Sequence, residues 1–207
     1  MSDIKEQIRN YVCYEVERTG TLLSERDLAQ RFNTRRGNAR EVLLSLESAG
    51  LLIRHPKRGY SFVDYSSTNY SRFRFLRYMV ELLAARGAFE AATTADIDRV
   101  YQALQQEEEI FASKRFSEFS MSDLAFHDAL IAASHDKMLM HVFSFLKIAL
   151  FHAENLSTRP ESLYRGTLES HRAIYAALQK RDWPALSQAL RRHLGNDPLV
   201  AKIKEDL

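Results

Sequence analysis

Residues 23–63 read LSERDLAQRFNTRRGNAREVLLSLESAGLLIRHPKRGYSFV, and the local signals in this stretch decide the fold of the first third of the chain. Ser24 with Asp27 three residues on is a capping pattern, and it opens a short helix running through Phe32. After Asn33 and Thr34 a second helical period begins, with Ala39, Val42, Leu43 and Leu46 on one face and Gly50 as its stop. Leu51–Ile53, a Pro56-Lys57-Arg58-Gly59 turn and Tyr60–Val63 then predict a β-hairpin. Upstream, Ile4, Ile8, Val12 and Val16 recur at four-residue spacing, which predicts an amphipathic helix ending before Gly20. Three helices and a hairpin within 65 residues make a winged helix-turn-helix.

The chemistry of this segment points to DNA. Thr34 is expected to cap the third helix, which places Arg35, Arg36, Asn38 and Arg40 in its first two turns. In a helix-turn-helix those turns enter the major groove, where arginine bonds guanine in bidentate fashion and asparagine bonds adenine. Arg26 and Arg31 on the preceding helix, with Lys57 and Arg58 at the hairpin tip, are placed for phosphates or the minor groove. Any one arginine here reads equally well as part of a solvated basic face; the ordered set argues for an interface. Charge agrees: residues 1–65 hold 11 Lys/Arg against 9 Asp/Glu and the remainder 18 against 18, so the net +2 lies entirely in this third.

The stretch from Asp64 to Tyr70 is polar and aperiodic, and it sets a domain boundary. The predicted organisation is a DNA-binding domain over 1–65, a linker over 66–70 and a helical domain over 71–207. Helices are predicted at about 70–92, 94–113, 118–134, 137–157, 160–180 and 183–206. Their starts are marked by Thr93 with Asp96, Ser120 with Asp123, Pro160, and Asp182 ahead of Trp183-Pro184. The fold class is therefore mainly α, a winged helix-turn-helix followed by an all-α bundle of six to seven helices.

Composition narrows the setting. With 45% hydrophobic residues, 207 residues suffice for packed cores, and no window has the roughly 18 apolar residues of a membrane span. The N-terminus lacks the basic-then-apolar pattern of a signal peptide, so a cytoplasmic location without membrane contact is expected. A single cysteine, Cys13, rules out an intramolecular disulfide and a cysteine-rich zinc module.

Asp123 and His127, four residues apart, share a helix face with Leu124, Phe126, Leu130 and Ile131. His171 shares one with Leu168, Ile174, Tyr175 and Leu178, and His193 one with Leu186, Ala189 and Leu190. One carboxylate and three imidazoles pointing inward from three helices suit a divalent metal with open positions for water or an anion. Each histidine alone also fits a hydrogen-bonded core residue. His141 and His152, with Phe145 and Ile148, form another inward stripe, and spacing does not choose among the five.

Two resemblances bear on the choice. Leu23-Ser24-Glu25-Arg26-Asp27-Leu28-Ala29, Arg36, Arg40-Glu41-Val42-Leu43, Leu46-Glu47, Gly50-Leu51-Leu52 and Arg58-Gly59 resemble the GntR family signature in order and spacing. The resemblance implies that Arg26, Arg36 and Arg40 contact DNA and that the Arg58-Gly59 wing tip reaches a groove. Gly37, Asn38 and Ala39 depart from the family, which usually has a small hydroxyl residue or proline, then a larger aliphatic. Asp123-Leu124-Ala125-Phe126-His127, His171 with Ile174 and Ala177-Leu178, Arg181-Asp182 and His193 resemble the FadR C-terminal effector domain, FCD. Carried over, the ligands of a divalent ion, zinc or nickel, are Asp123, His127, His171 and His193. Arg77 and Glu81 resemble that family's Arg-x3-Glu pattern, which makes Arg77 a partner for an effector carboxylate or for Glu81. His135-Asp136 stands where the family commonly has Gly-Asn.

Together these readings predict a homodimeric regulator, a repressor by resemblance, that binds two-fold related operator half-sites and releases them when a small carboxylate enters a metal-containing pocket. Two other classes compete. A metal-dependent hydrolase would use the same ligands and the His127-Asp128 and His135-Asp136 dipeptides, but Asp128 falls off the inward stripe and the DNA-reading segment has no role in it. An architectural DNA-binding dimer gains nothing from four inward titratable groups.

Overall fold

The structure, a computed structural model, describes residues 3–16, 21–63, 70–154 and 160–195, with side chains at all of these except 70–71 and 149–154. The chain divides into two compact units, Met1–Tyr65 and Ser66–Leu207.

In the first unit, α1 (Ile4–Asn10) starts where the Asp3 carboxylate accepts the Lys5 N–H, and buries Ile8. The single helix expected to run toward Gly20 is not formed. A π-helical turn, Tyr11–Glu15, follows α1, and Val16 is already extended. Four residues overshoot an α-turn by roughly 40°, so the strict four-residue spacing of Ile8 and Val12 drifts off the core face unless the helix widens. The π-turn widens it and keeps Val12 and Cys13 buried.

α2 (Glu25–Arg31) is capped as predicted, the Ser24 hydroxyl accepting the Asp27 N–H at 3.1 Å. α3 (Arg36–Ser48) packs on α1 and α2 and buries Ala39, Val42, Leu43 and Leu46. Its N-cap is Arg35 and not Thr34. Asn33, at φ 44°, makes the turn, and Thr34 stands one residue too early to cap. Gly50, at φ 74°, ends the helix with the Leu51 N–H bonded to Leu46 O at 2.9 Å.

β1 (Leu52–His55) and β2 (Gly59–Phe62) pair antiparallel, Leu52 opposite Phe62 and His55 opposite Gly59. Leu23 adds a bridge to Tyr60, each donating its N–H to the other's carbonyl, at 2.7 and 2.8 Å. Gly59 is what allows it: its φ is 103°, and a Cβ there would lie 2.3 Å from Leu23 O.

The second unit is helical among the described residues: α4 (Tyr70–Ala91), α5 (Thr94–Ala112), α6 (Phe116–Ala132), α7 (Lys137–Glu154), α8 (Glu161–Gln179) and α9 (Trp183–Leu194). Its core is built on Phe126, Leu130, Ile174, Leu178, Leu186 and Leu190. Thr93 and Asp96 form the full capping box of α5, and Asp182 caps α9 at Ala185 N. α6 begins at Phe116, not at the Ser120 signal, because Phe116 and Phe119 both pack on Tyr164, with ring centroids 4.8 and 4.9 Å away, and draw an extra turn into helix. α9 ends at Leu194 with Gly195 at its C-cap, shorter than the predicted 183–206; residues 196–207 lie outside the described part.

One family-like position, Arg181, and one departure from the family, His135, prove to be structural devices. The Arg181 guanidinium donates to Ala88 O and Phe89 O at 2.9 and 2.6 Å, and also to Ala92 O, closing the carbonyls at the end of α4. His135 has φ 56°, which explains why glycine suits this turn, and its ring reaches Asp96 at 2.9 Å.

Candidate metal centre and nucleic-acid interface

α6 carries Asp123 and His127 one turn apart, α8 carries His171 and α9 carries His193, and helix packing brings their ligand atoms within 4.8 Å of one another. The three Nε2 atoms form a near-equilateral triangle: His127 to His171 3.2 Å, His171 to His193 3.1 Å and His193 to His127 3.2 Å. Asp123 Oδ1 lies 3.9 Å from His127 Nε2 and 3.7 Å from His171 Nε2. Nitrogens bonded to one ion at about 2.0–2.1 Å stand roughly 2.9–3.4 Å apart, so the triangle has the dimensions of a ligand set.

The atoms behind the rings support the same chemistry. His127 Nδ1 is 2.6 Å from Glu81 Oε2 and His171 Nδ1 is 2.7 Å from Glu107 Oε2, all four residues being fully buried. A carboxylate at Nδ1 fixes the proton there and leaves the Nε2 lone pair aimed at the centre of the triangle. Three converging lone pairs have no hydrogen-bonding solution among themselves; a cation satisfies them all. Phe126 stacks on His171 at 4.1 Å and holds the ring plane. Burial, then the His171 and His127 rings, holds the His193 imidazole well below its ordinary pKa, in the neutral form that ligates.

Burial pushes the Glu81 carboxyl up, but His127 and Arg77 outweigh it and keep it below the ordinary range. Among the described residues the second oxygen of Glu107 has no hydrogen-bond partner, and burial holds its carboxyl above that range despite His171. Arg77 gives its Nε to Glu81 Oε1 at 2.6 Å and sets Nη2 3.6 Å from Asp123 Oδ2. The ion pair implied by the Arg-x3-Glu spacing is therefore made. Arg77 also lines a cavity of about 240 Å³ that opens beside Asp123 and His193.

The competing histidines are not in this cluster. His141 is exposed, because the core face of α7 runs through Phe143, which packs with Ala84 and Ile131. The inward placement expected for His141 is thus corrected, and the His152 side chain lies outside the described residues. Asp128, the partner in the hydrolase reading, is paired with Lys147 Nζ at 2.5 Å.

Sequence reasoning missed Glu107 as a partner of His171. It sits in the run Gln105-Gln106-Glu107-Glu108-Glu109, which reads as solvated, yet it shares the buried face of Val100 and Leu104. A carboxylate on an apolar stripe was the available signal, the same one that drew attention to Asp123.

In the first unit Arg26, Arg35, Arg36, Arg40, Lys57 and Arg58 are all exposed. Among the described residues Arg26 and Arg40 have only weak local partners, Asp27 at 3.3 Å and Glu25 at 3.9 Å. The Asn38 amide donates to Thr34 Oγ1 at 2.8 Å, so Thr34 steadies Asn38 instead of capping α3. A cleft of about 280 Å³ between the start of α2 and the hairpin is lined by Arg26, Arg36, Lys57 and Gly59 and also by Arg54 and His55, two β1 residues that were not anticipated.

Comparison with known proteins follows this division. Residues 1–62 match the gntR family of bacterial regulatory proteins, and residues 74–196 match the FCD domain. The chain is 29% identical over 175 residues to the HTH-type transcriptional repressor RspR of Escherichia coli K12, covering 84% of this chain and 77% of that one. It is 31% identical over 191 residues to the Uxu operon transcriptional regulator of the same organism, covering 83% and 74%. In fold it is similar to E. coli McbR/YncC, with a TM-score of 0.82, 19% identity and coverage of 100% and 99%. These relatives are regulators and not enzymes, and among the described residues no helix is long and apolar enough to cross a membrane.

Proposed function

Because this chain belongs to the GntR family of bacterial transcriptional regulators and carries an FCD domain, we propose that it is a repressor whose operator affinity is set by a small carboxylate bound beside a divalent metal ion. The observation that carries the reading is the Nε2 triangle of His127, His171 and His193, backed by Glu81 and Glu107 and flanked by Asp123. An ion held there, zinc or nickel by the imidazole-rich donor set, supplies open positions for an anionic oxygen. Arg77, buried against Asp123, lines the cavity, where a guanidinium favours a carboxylate.

Residues 1–65 serve as the DNA-binding domain, with Arg35, Arg36, Asn38 and Arg40 reading the major groove and Arg26, Lys57 and Arg58 on phosphates or the minor groove. Gly59 contributes by shaping the wing. Residues 66–70 link it to a domain over 71–207 that binds effector and dimerises. Exposed Leu76, Met79 and Leu83 on α4 form an apolar stripe of the kind a second copy covers, and a dimer matches a two-fold related operator. The name of the relative RspR supports repression as the sign. Coupling is reciprocal: effector weakens DNA binding by the factor by which DNA weakens effector binding.

The test is metal analysis of purified wild type and of the double variant His171→Ala/His193→Ala, with melting curves against small carboxylates before and after chelation. Bound divalent metal in the wild type, its loss in the variant, and a carboxylate-induced rise in Tm that chelation abolishes are the expected results. A wild type that binds metal but answers to no carboxylate overturns the effector assignment. Full metal retention in the variant overturns the site.

A further inference from the structure

The hairpin carries a charge where its own periodicity asks for an apolar residue. Side chains two apart on a strand share a face, and so do residues paired directly across an antiparallel ladder. Leu52 and Arg54 of β1 therefore share a face with Tyr60 and Phe62 of β2, and Arg54 stands directly opposite Tyr60. Leu52 and Tyr60 are each 3% exposed, so this is the face turned to the core of the first unit. Arg54 lies where the hairpin runs past that core, and it is exposed. It falls between Gly50-Leu51-Leu52 and Arg58-Gly59, the two family-like pieces of this region, and belongs to neither.

There Arg54 forms the wing-side wall of the cleft of about 280 Å³, whose other wall holds Arg26 at the start of α2 and Arg36 at the start of α3. With Lys57 at the turn, four cations share the cleft with one carboxylate, Glu25, which lies 3.9 Å from Arg40. Among the described residues neither Arg36 nor Arg54 has an ion-pair or hydrogen-bond partner. The walls cannot move apart to relieve the repulsion. Leu23, next to the Ser24 cap of α2, and Tyr60, opposite Arg54, exchange two backbone hydrogen bonds of 2.7 and 2.8 Å. Like charges fixed around one gap favour an anion seated between them.

We infer that the cleft seats a backbone phosphate of bound duplex DNA, held between Arg54 on the wing and Arg26 on α2. Arg54 is thus a positioning residue that fixes the wing and the helix-turn-helix to one point on the DNA. This rests on the DNA-binding reading of residues 1–65 and adds to it a contact on β1. Charge favours phosphate over a base edge: base edges are neutral, whereas converging cations select the charged backbone. The guanidinium fork of arginine matches two phosphate oxygens at once.

The experiment is fluorescence anisotropy titration of the full-length protein with random-sequence duplex DNA and with an operator selected from a random library by the wild type, between about 50 and 200 mM KCl. It is repeated on Arg54→Gln, on Arg54→Lys and, as a control for net charge, on Lys180→Gln, an exposed position of the second unit. The wild type is expected to bind with log K falling linearly with log salt. Arg54→Gln should flatten that slope by about 0.9 for each DNA-binding domain engaged, weaken both duplexes by the same factor and leave Tm unchanged. Arg54→Lys keeps the charge and should restore the slope, and Lys180→Gln should keep it. An unaltered slope in Arg54→Gln, the result for a charge that only blocks edge pairing of the strand, overturns the assignment and leaves the DNA-binding reading standing. A loss confined to the operator makes Arg54 a base reader and overturns the phosphate contact. A wild type that binds no duplex overturns the DNA-binding reading and this inference with it.

Discussion

Glu81 joins two side chains through its two oxygens: Oε2 lies 2.6 Å from Nδ1 of His127 and Oε1 lies 2.6 Å from Nε of Arg77. The carboxylate that orients a metal-facing imidazole is thus the one that anchors the arginine at the cavity. Glu81→Gln should reduce zinc affinity by about 10- to 100-fold. It should also lower stability by about 1–3 kcal/mol, since buried Arg77 loses the nearer of its two carboxylates and keeps Asp123 at 3.6 Å. Chelator competition and denaturant melts measure the two effects separately. Wild-type zinc affinity in a folded variant removes Glu81 from the centre.

Arg40 is exposed on α3, with Glu25 its ion-pair partner among the described residues, at 3.9 Å. Arg40→Ala should therefore leave the melting temperature unchanged while weakening operator binding by about 1–3 kcal/mol. A gel-shift titration checks this; unaltered affinity removes Arg40 from the interface.

Gly59 is constrained by the Leu23 carbonyl, which a Cβ would approach to 2.3 Å. Gly59→Ala must open the Leu23 to Tyr60 bridge or distort the turn, at a cost of about 1–3 kcal/mol. The loss should appear as weakened amide-exchange protection at Leu23 and Tyr60 in the isolated exchange of the first unit. Preserved protection at both amides would show that the turn accommodates the methyl.

Asp96 yields a pH prediction. Burial pushes this carboxyl up, but the Thr93 hydroxyl and N–H, then the His135 ring, outweigh it and hold it at about 2, below its ordinary 3.8. A depressed folded pKa means the stabilisation, about 2 kcal/mol, is fully present above pH 3.8 and is lost as pH falls toward 2. Asp96→Asn should therefore be less stable than wild type at neutral pH, with the difference shrinking between these limits. Thermal melts of both proteins across that range decide it. A stability gap constant with pH would show that Asp96 acts only through shape.

The sequence showed the fold where local signals matched the interactions that form, as at the Thr93 box and at Asp182. It misled where a distant partner prevailed: Tyr164 draws Phe116 into helix ahead of Ser120, and the π-turn corrects a drift that four-residue spacing conceals. The four ligand candidates were visible as polar residues on apolar faces. Their partners were harder to see, because Glu107 is camouflaged by its charged neighbours and the pairing of Glu81 with His127 crosses 46 residues.

Arg181 pins one end of α4. With three carbonyls at Ala88, Phe89 and Ala92 held by one guanidinium, this 22-residue rod has a fixed fulcrum on the turn between α8 and α9. Arg77 and Glu81 sit partway along it. Near its other end Phe73 packs on Phe145 of α7, so the arginine at the cavity and the carboxylate behind the metal-facing ring ride on one element held at both ends.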